Sequence, residues 1–298
     1  MSETVSRLSE VRATRPQAVA EALSRRVRRP LIGADGRLFL VAADHPARGV
    51  LAAGEDPNAM ADRGELLDRL VIALGRPGVD GVLATADVVE DLALLGALDR
   101  KIVLGSMNRG GIAGSVFEVD DRFTGYTADA IGRSGLDGGK MMLRIADGDP
   151  ATVETMLACA RAIDGLASRG LLAMVEVFAS SRDATGVLRN DNTTDPLRRA
   201  IAIASGIAST SAFTWLKLPV VDDMATVAAA TTLPIVLLGG DPGRDAEATF
   251  ARWRAAMTIP QVRGLVAGRA LLYPTNGDVA RAVDQAAAVV RGKRAVRV

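Results

Sequence analysis

The sequence predicts an α/β protein, a closed (β/α)8 barrel, and three observations carry that reading. Short continuous apolar runs recur along the chain, at 38–44, 81–85, 101–105, 139–145, 171–178, 213–220, 233–238 and 264–267. Amphipathic Ala- and Leu-rich stretches separate them, at 62–74, 88–98, 151–168, 196–209, 224–231 and 245–257. Continuous apolar strands joined by helices make a parallel sheet covered on both faces. The third observation is length: 298 residues with no linker or shift in composition. Eight β/α units in a chain of this size close into a barrel rather than lie open. Residues 1–298 are therefore read as one barrel domain, with residues 1–30 as a helical extension.

Taken in order, the charged and Ala-rich start is expected to hold one helix, opened by Pro16 and running to about Arg28. Its basic end, Arg25-Arg26-Val27-Arg28-Arg29, reads as a solvated helix terminus. The first strand ends on Asp44. Two connections are long, 106–126 and 179–194, and both follow strands, which puts them over the C-terminal mouth where barrel enzymes keep their chemistry. Residues 278–290 close the chain as a helix.

Composition removes several function classes. The formal net charge is +1, without the clustered Lys and Arg excess that nucleic-acid binding needs. One histidine, His45, excludes a metal site built on several histidines, so no metal is expected. One cysteine, Cys159, excludes a disulfide framework and suits a reducing compartment. No apolar segment reaches membrane-spanning length. The expectation is a cytoplasmic protein with no membrane or nucleic-acid partner. Hydrophobic residues make up 49%, with a mean hydropathy of +0.19, which supports a large packed core.

The chemistry centres on Phe213-Thr214-Trp215-Leu216-Lys217-Leu218-Pro219-Val220-Val221, a short apolar strand with a lysine in its middle. Desolvation disfavours an ammonium, so such a lysine is expected to move towards its neutral, nucleophilic form. Alternate strand residues share a face. That periodicity lets Asp44 on the first strand, Lys140 and Arg144 on the fourth, Glu176 on the fifth and Lys217 on the sixth all point inward. Such a set is expensive inside a barrel unless the groups pair and work together. Lys140 would disfavour a second ammonium at Lys217, leaving Asp44 and Glu176 for acid and base steps. After the seventh strand comes Gly239-Gly240-Asp241-Pro242, and after the eighth Gly268-Arg269. Glycines there let backbone N–H groups approach a phosphate, and a helix start adds its dipole. The stretch 120–126 reads either as a lid carrying Tyr126 as a proton shuttle or as a surface loop with one anchored aromatic.

In their order along the chain these residues resemble the class I, Schiff-base aldolases, nearest to the tagatose-bisphosphate aldolase branch. Asp-Gly-Gly-Lys-Met-Met-Leu at 137–143, Trp-Leu-Lys-Leu-Pro-Val at 215–220 and Gly-Leu-Val-Ala-Gly-Arg-Ala at 264–270 are similar to its fourth-, sixth- and eighth-strand motifs. Within that superfamily the chain resembles actinobacterial barrels found alongside myo-inositol catabolism. The resemblance implies cleavage of 5-dehydro-2-deoxygluconate 6-phosphate to dihydroxyacetone phosphate and malonate semialdehyde, without a cofactor, by a homo-oligomer. Lys217 would form the imine amid Lys140, Asp44 and Glu176. Gly239, Gly240, Gly268 and Arg269 would hold the phosphate. Two departures stand out. The first strand continues Asp44-His45-Pro46-Ala47-Arg48, so Arg48 replaces an arginine usually nearer the aspartate. The fourth ends in Arg144 instead of tyrosine, which would suit a second anionic group. A transaldolase, an acyl-transfer enzyme or a non-catalytic sugar-phosphate-binding barrel would use the same residues.

Overall fold

Eight parallel strands close into a ring in this computed structural model, which describes residues 2–240 and 245–292. Strand β1 (Leu38–Ala43) pairs with β2 (Gly81–Ala84), followed around the ring by β3 (Ile102–Ser106), β4 (Gly138–Ile145) and β5 (Leu172–Arg182). A short strand β6 (Leu188–Asp191) runs antiparallel to the end of β5 and lies outside the ring. The circuit continues through β7 (Thr214–Leu218), β8 (Ile235–Leu238) and β9 (Val262–Ala267), which pairs with β1. The sixth, seventh and eighth barrel strands are thus β7, β8 and β9.

The N-terminal extension forms two helices, α1 (Glu3–Thr14) and α2 (Ala18–Ser24). The crossovers are α3 (Arg63–Gly75), α4 (Ala86–Leu94), α5 (Ala128–Arg133), α6 (Ala151–Ala167), α7 (Thr194–Ser205), α8 (Met224–Ala228) and α9 (Ala246–Ala256). A single turn, α10 (Arg269–Leu272), and α11 (Val279–Arg291) follow β9. Several starts are set by side-chain caps: Asp62, Thr127, Asp223, Asp245 and Asp278 each accept from the N–H three residues on. Among the described residues no helix is long and apolar enough to cross a membrane.

Strand alternation sorts the apolar residues into two bodies. Phe39, Val41 and Ala43 face outward into the core shared with the helices. Leu38, Leu40, Ala42, Leu83, Ile102, Leu104, Leu172, Met174, Val236 and Val266 fill the ring, with Leu31, Ile32 and Trp215 packed against them. This plug makes the ring a packed core open only at its C-terminal mouth.

Three expectations need correction. The extension holds two helices rather than one, because Ser2 caps α1 and the first turn carries Glu3. The basic run is not a solvated helix end: α2 stops at Ser24 and the arginines strap the N-terminal face. Arg26 donates to the carbonyls of Leu98, Lys101 and Gly135 and pairs with Asp137 at 3.2 Å, while Arg28 also reaches Asp137 and Arg29 reaches Asp80. The stretch 179–194 is chiefly a hairpin, not a loop. Asp183 accepts from the N–H groups of Thr185 and Val187 and so turns β5 back into β6.

Candidate active site

The mouth of the barrel holds a cavity of about 220 Å³ walled by ionisable side chains. Register places them. Glu176 on β5 lies beside Lys217 on β7 and beside Met142 on β4, and Lys140 lies beside Ser106 on β3. Lys140 is 0% exposed and Lys217 3%, so both ammonium groups depend on protein partners. Glu176 supplies one to each. Its Oε1 is 2.6 Å from Lys217 Nζ, and its Oε2 contacts Lys140 Nζ. A carboxylate on the neighbouring strand thus takes the place of water around the strand lysine.

Asp44 closes the other side. Its Oδ2 accepts from Ser106 Oγ at 3.0 Å and Lys140 Nζ at 3.2 Å, and contacts Arg109. Its Oδ1 is buried with no partner. Burial raises the Asp44 pKa, but Arg109 and Lys140 outweigh it and hold the carboxyl well below the usual range. Glu176 behaves alike: burial opposes ionisation, and Lys140 and Lys217 overcome it. For Lys140 burial works the other way and, with Arg109 nearby, lowers the pKa despite both carboxylates. Of the five residues read from strand alternation, Asp44, Lys140, Glu176 and Lys217 converge on one ion-pair network.

His45 stands on the cavity wall, with some surface exposed and Nδ1 lacking a partner. Burial, opposed by Asp44 and helped by Arg269, brings it down to about 3, so it is neutral at pH 7. The Pro46–Arg48 turn ends on Gly49 in the left-handed region at φ 72°. That reversal carries the Arg48 side chain back over the cavity, where Nε donates to the Gly111 carbonyl at 2.8 Å.

The glycines at β8 and β9 mark close approach. A Cβ on Gly268 would sit 2.3 Å from the Ala42 carbonyl oxygen, and one on Gly239 2.5 Å from Ala267 Cβ. Gly240 takes φ 69°, a conformation side chains disfavour. Arg269 lines the cavity beside them and donates to the Ala52 carbonyl at 3.5 Å. The helix start expected here is the single turn of α10, too short to carry much dipole. Asp241 and Pro242 lie outside the described residues. Gly268→Ala is expected to cost about 1–3 kcal/mol by overpacking, read as a lower urea midpoint at unchanged slope.

Arg144 sits otherwise than expected, and of the two readings of the 120–126 stretch one holds. Arg144 faces the cavity but its guanidinium is engaged: Nε and Nη2 grip Asp121, each at 2.7 Å, Nη1 reaches Glu118 at 3.3 Å, and Nη2 also contacts the Glu118 carbonyl. It ties the 107–126 segment to β4 instead of offering donors to an anion. Tyr126 is not at the mouth. Its ring covers Gly105 on the outer face of β3, within the helix-side core, so it is the anchored aromatic and no proton shuttle.

Sequence reading missed Arg109. It follows β3 in an irregular segment, where strand alternation has no force. Asn108 places it by clamping Met142 through both backbone groups, at 2.6 and 2.7 Å. The available signal was an Asn-Arg pair within three residues of a strand's mouth end.

The profile of the Cgl0159-like family matches residues 36–287. The crystal structure of Cgl0159 from Corynebacterium glutamicum (Brevibacterium flavum) is 50% identical, with a TM-score of 0.94 over 98% of each chain. An archaeal fructose-1,6-bisphosphate aldolase, solved with its catalytic lysine covalently bound to the carbinolamine intermediate of the substrate, is 17% identical, with a TM-score of 0.66 over 92% of this chain and 100% of that one. The fructose-bisphosphate aldolase of Slackia heliotrinireducens DSM 20476 is 16% identical, with a TM-score of 0.63 over 97% of this chain and 93% of its own. At such identity the two aldolases share the fold. No curated protein matches the sequence.

Proposed function

The chain belongs to the Cgl0159-like family, and on that footing we propose that it is a class I aldolase, a carbon–carbon lyase acting on a phosphorylated keto-sugar or keto-acid. One observation carries the reading. Lys217 lies inside a closed barrel, 3% exposed, with its amine 2.6 Å from a carboxylate that a second buried lysine also contacts. A purely structural ion pair has no need of a second lysine, a second carboxylate and an open cavity. The archaeal aldolase that shares this fold uses a catalytic lysine covalently.

In this mechanism Lys217 passes a proton to Glu176, and the free amine attacks the substrate ketone to form a C–N bond. The carbonyl oxygen takes a proton and leaves as water after a second protonation, which produces the iminium. Glu176, which touches both lysine amines, relays that proton out and returns it. Asp44 then removes the proton of the hydroxyl beyond the bond to be broken, through the Oδ1 atom that has no partner in the protein. That bond cleaves, an aldehyde departs, and its electron pair enters the iminium to leave an enamine. Protonation and hydrolysis free the second product and restore Lys217. Arg109 keeps Asp44 ionised, and Ser106 orients it.

The phosphate is assigned to the backbone at Gly239, Gly240 and Gly268 with Arg269. For the substrate, the resemblance of the motifs at 137–143, 215–220 and 264–270 to those of the tagatose-bisphosphate aldolase branch and the inositol-associated barrels favours 5-dehydro-2-deoxygluconate 6-phosphate. A homo-oligomer in the cytoplasm, without metal or cofactor, completes the proposal. The test is borohydride reduction with dihydroxyacetone phosphate, followed by peptide mass mapping. A stable adduct on the Lys217 peptide is expected. An adduct on another lysine, or none with any candidate ketone, overturns the reading.

A further inference from the structure

The hairpin of β5 and β6 is an addition to the barrel, and strand pairing fixes its place over the mouth. Ala179 pairs with Ile145 of β4 on one side and with Asp191 of β6 on the other. β6 therefore takes the edge of β5 that β7 occupies deeper in the barrel, along Ala173–Glu176. Lys217 and the hairpin stand on the same side of β5, the lysine below and the hairpin above. Ring order adds a direction. The glycine wall of β8 and β9 lies on one side of β7, and β5 with its hairpin lies on the other. A substrate with its phosphate on the glycine wall and its ketone at Lys217 runs on towards the hairpin.

Alternate residues share a strand face, and directly paired residues of antiparallel strands share one too. Glu176 and Phe178 line the cavity, Ser180 continues their face, and Asn190 pairs with Ser180. Leu188 and Asn190 accordingly join Phe178 in the outer wall of the cavity. Phe178 and Leu188 are apolar, which leaves Asn190 as the polar group of that wall. Asparagine is disfavoured in strands, so pairing alone does not call for it in a strand as short as β6. Its amide is also held. Ser180, 7% exposed, donates through Oγ to Asn190 Oδ1 at 2.8 Å. That bond occupies the amide's acceptor, and among the described residues its Nδ2 donors have no partner.

We propose that Asn190 sets specificity for the aldehyde half of the substrate, the half that departs on cleavage, with Ser180 as its positioning residue. Nδ2 of Asn190 donates to an oxygen at the far end of that fragment. The fragment is a short aldehyde whose last carbon bears oxygen, because a neutral amide donates to a carboxylate or a hydroxyl and offers nothing to a methyl group. The assignment rests on the imine-forming role of Lys217.

Condensation by the full chain, with dihydroxyacetone phosphate as donor, tests this. The enamine carbon bonds to the aldehyde carbon, and the aldehyde oxygen takes a proton from Asp44. The acceptors are malonate semialdehyde, 3-hydroxypropanal and propanal, equal in length and differing only at the last carbon. At least one oxygen-bearing acceptor is expected to exceed propanal about tenfold in kcat/KM, the worth of one good hydrogen bond. Whichever leads identifies the oxygen as carboxylate or hydroxyl. Asn190→Ala is expected to bring that ratio below about threefold. Ser180→Ala is expected to lower it part of the way, and Ser180→Thr, which keeps the hydroxyl, to retain it. Should N190A misfold, Asn190→Asp, of the same shape, is expected to drop malonate semialdehyde to the level of propanal or below. Equal use of the three acceptors by the unaltered protein overturns the proposal, and that comparison needs no variant. So does a ratio that survives N190A or, for malonate semialdehyde, N190D. Borohydride trapping of dihydroxyacetone phosphate keeps the two readings apart. An adduct on Lys217 without the acceptor preference, or without condensation, removes the role of Asn190 only. Condensation with the preference but without an adduct removes the imine only, and the absence of both adduct and condensation removes both readings.

Discussion

Replacing Lys217 with methionine abolishes borohydride trapping of dihydroxyacetone phosphate and lowers turnover by roughly 10^4-fold or more, the scale seen when a covalent nucleophile is removed. The expectation follows from position. Lys217 faces the cavity from the middle of the mouth, whereas Lys140 is 0% exposed and locked between Asp44 and Glu176. Lys140 therefore has no route to a carbonyl and cannot stand in as the nucleophile. Methionine matches the length and apolar stem of lysine, so the ring packing is kept. Glu176 loses one partner and retains Lys140, and the stability loss should stay near 1–3 kcal/mol. Turnover and trapping are measured beside a denaturation curve. Retained cleavage in a folded variant would sink the aldolase reading, while binding of phosphorylated ligands should persist because the glycine wall is untouched.

The barrel was legible because its signal is long-range and repetitive. Each strand is a continuous apolar run and each helix an amphipathic one, and the spacing leaves room for little else. The inward set of Asp44, Lys140, Glu176 and Lys217 was legible for the same reason: a period of two assigns a face wherever the strand is regular. What failed lay outside regular structure. Arg109 depends on Asn108 clamping β4, and Arg144 turns from a ligand candidate into a loop anchor only once Asp121 folds back onto it. Tyr126 stayed between two readings because an aromatic following an irregular segment can pack on either face of β3, and Gly105 opens the outer one. The straps at Arg26, Arg28 and Arg29 reach partners more than fifty residues away, to Asp80 and Asp137, and no local pattern encodes that distance.

Glu176→Gln is expected to destabilise the protein by about 3–5 kcal/mol at pH 7, the cost of leaving buried charge without its counter-ion. The carboxylate serves both Lys140 and Lys217, and an amide offers the same shape without the charge. The dependence on pH has a defined sign. The folded-state pKa of Glu176 lies far below its ordinary 4.5, because Lys140 and Lys217 outweigh the effect of burial. Near pH 4 the unfolded chain binds a proton here that the folded chain does not. The stabilisation is therefore complete above about pH 5.5 and drains away as pH falls through 4.5 towards the folded value. On the alkaline side the variant should recover. Lys140 already titrates below its ordinary 10.5 through burial and Arg109, and losing Glu176 removes one of the two charges that hold its proton. As pH rises through that lowered value the lysine becomes neutral and the unpaired charge disappears. Urea denaturation of both proteins from pH 3.5 to 10 should give a stability gap that is flat around neutrality and narrows at both ends. A variant as stable as the parent at pH 7, or a gap that ignores pH throughout, would mean that Glu176 does not hold these two ammonium groups together.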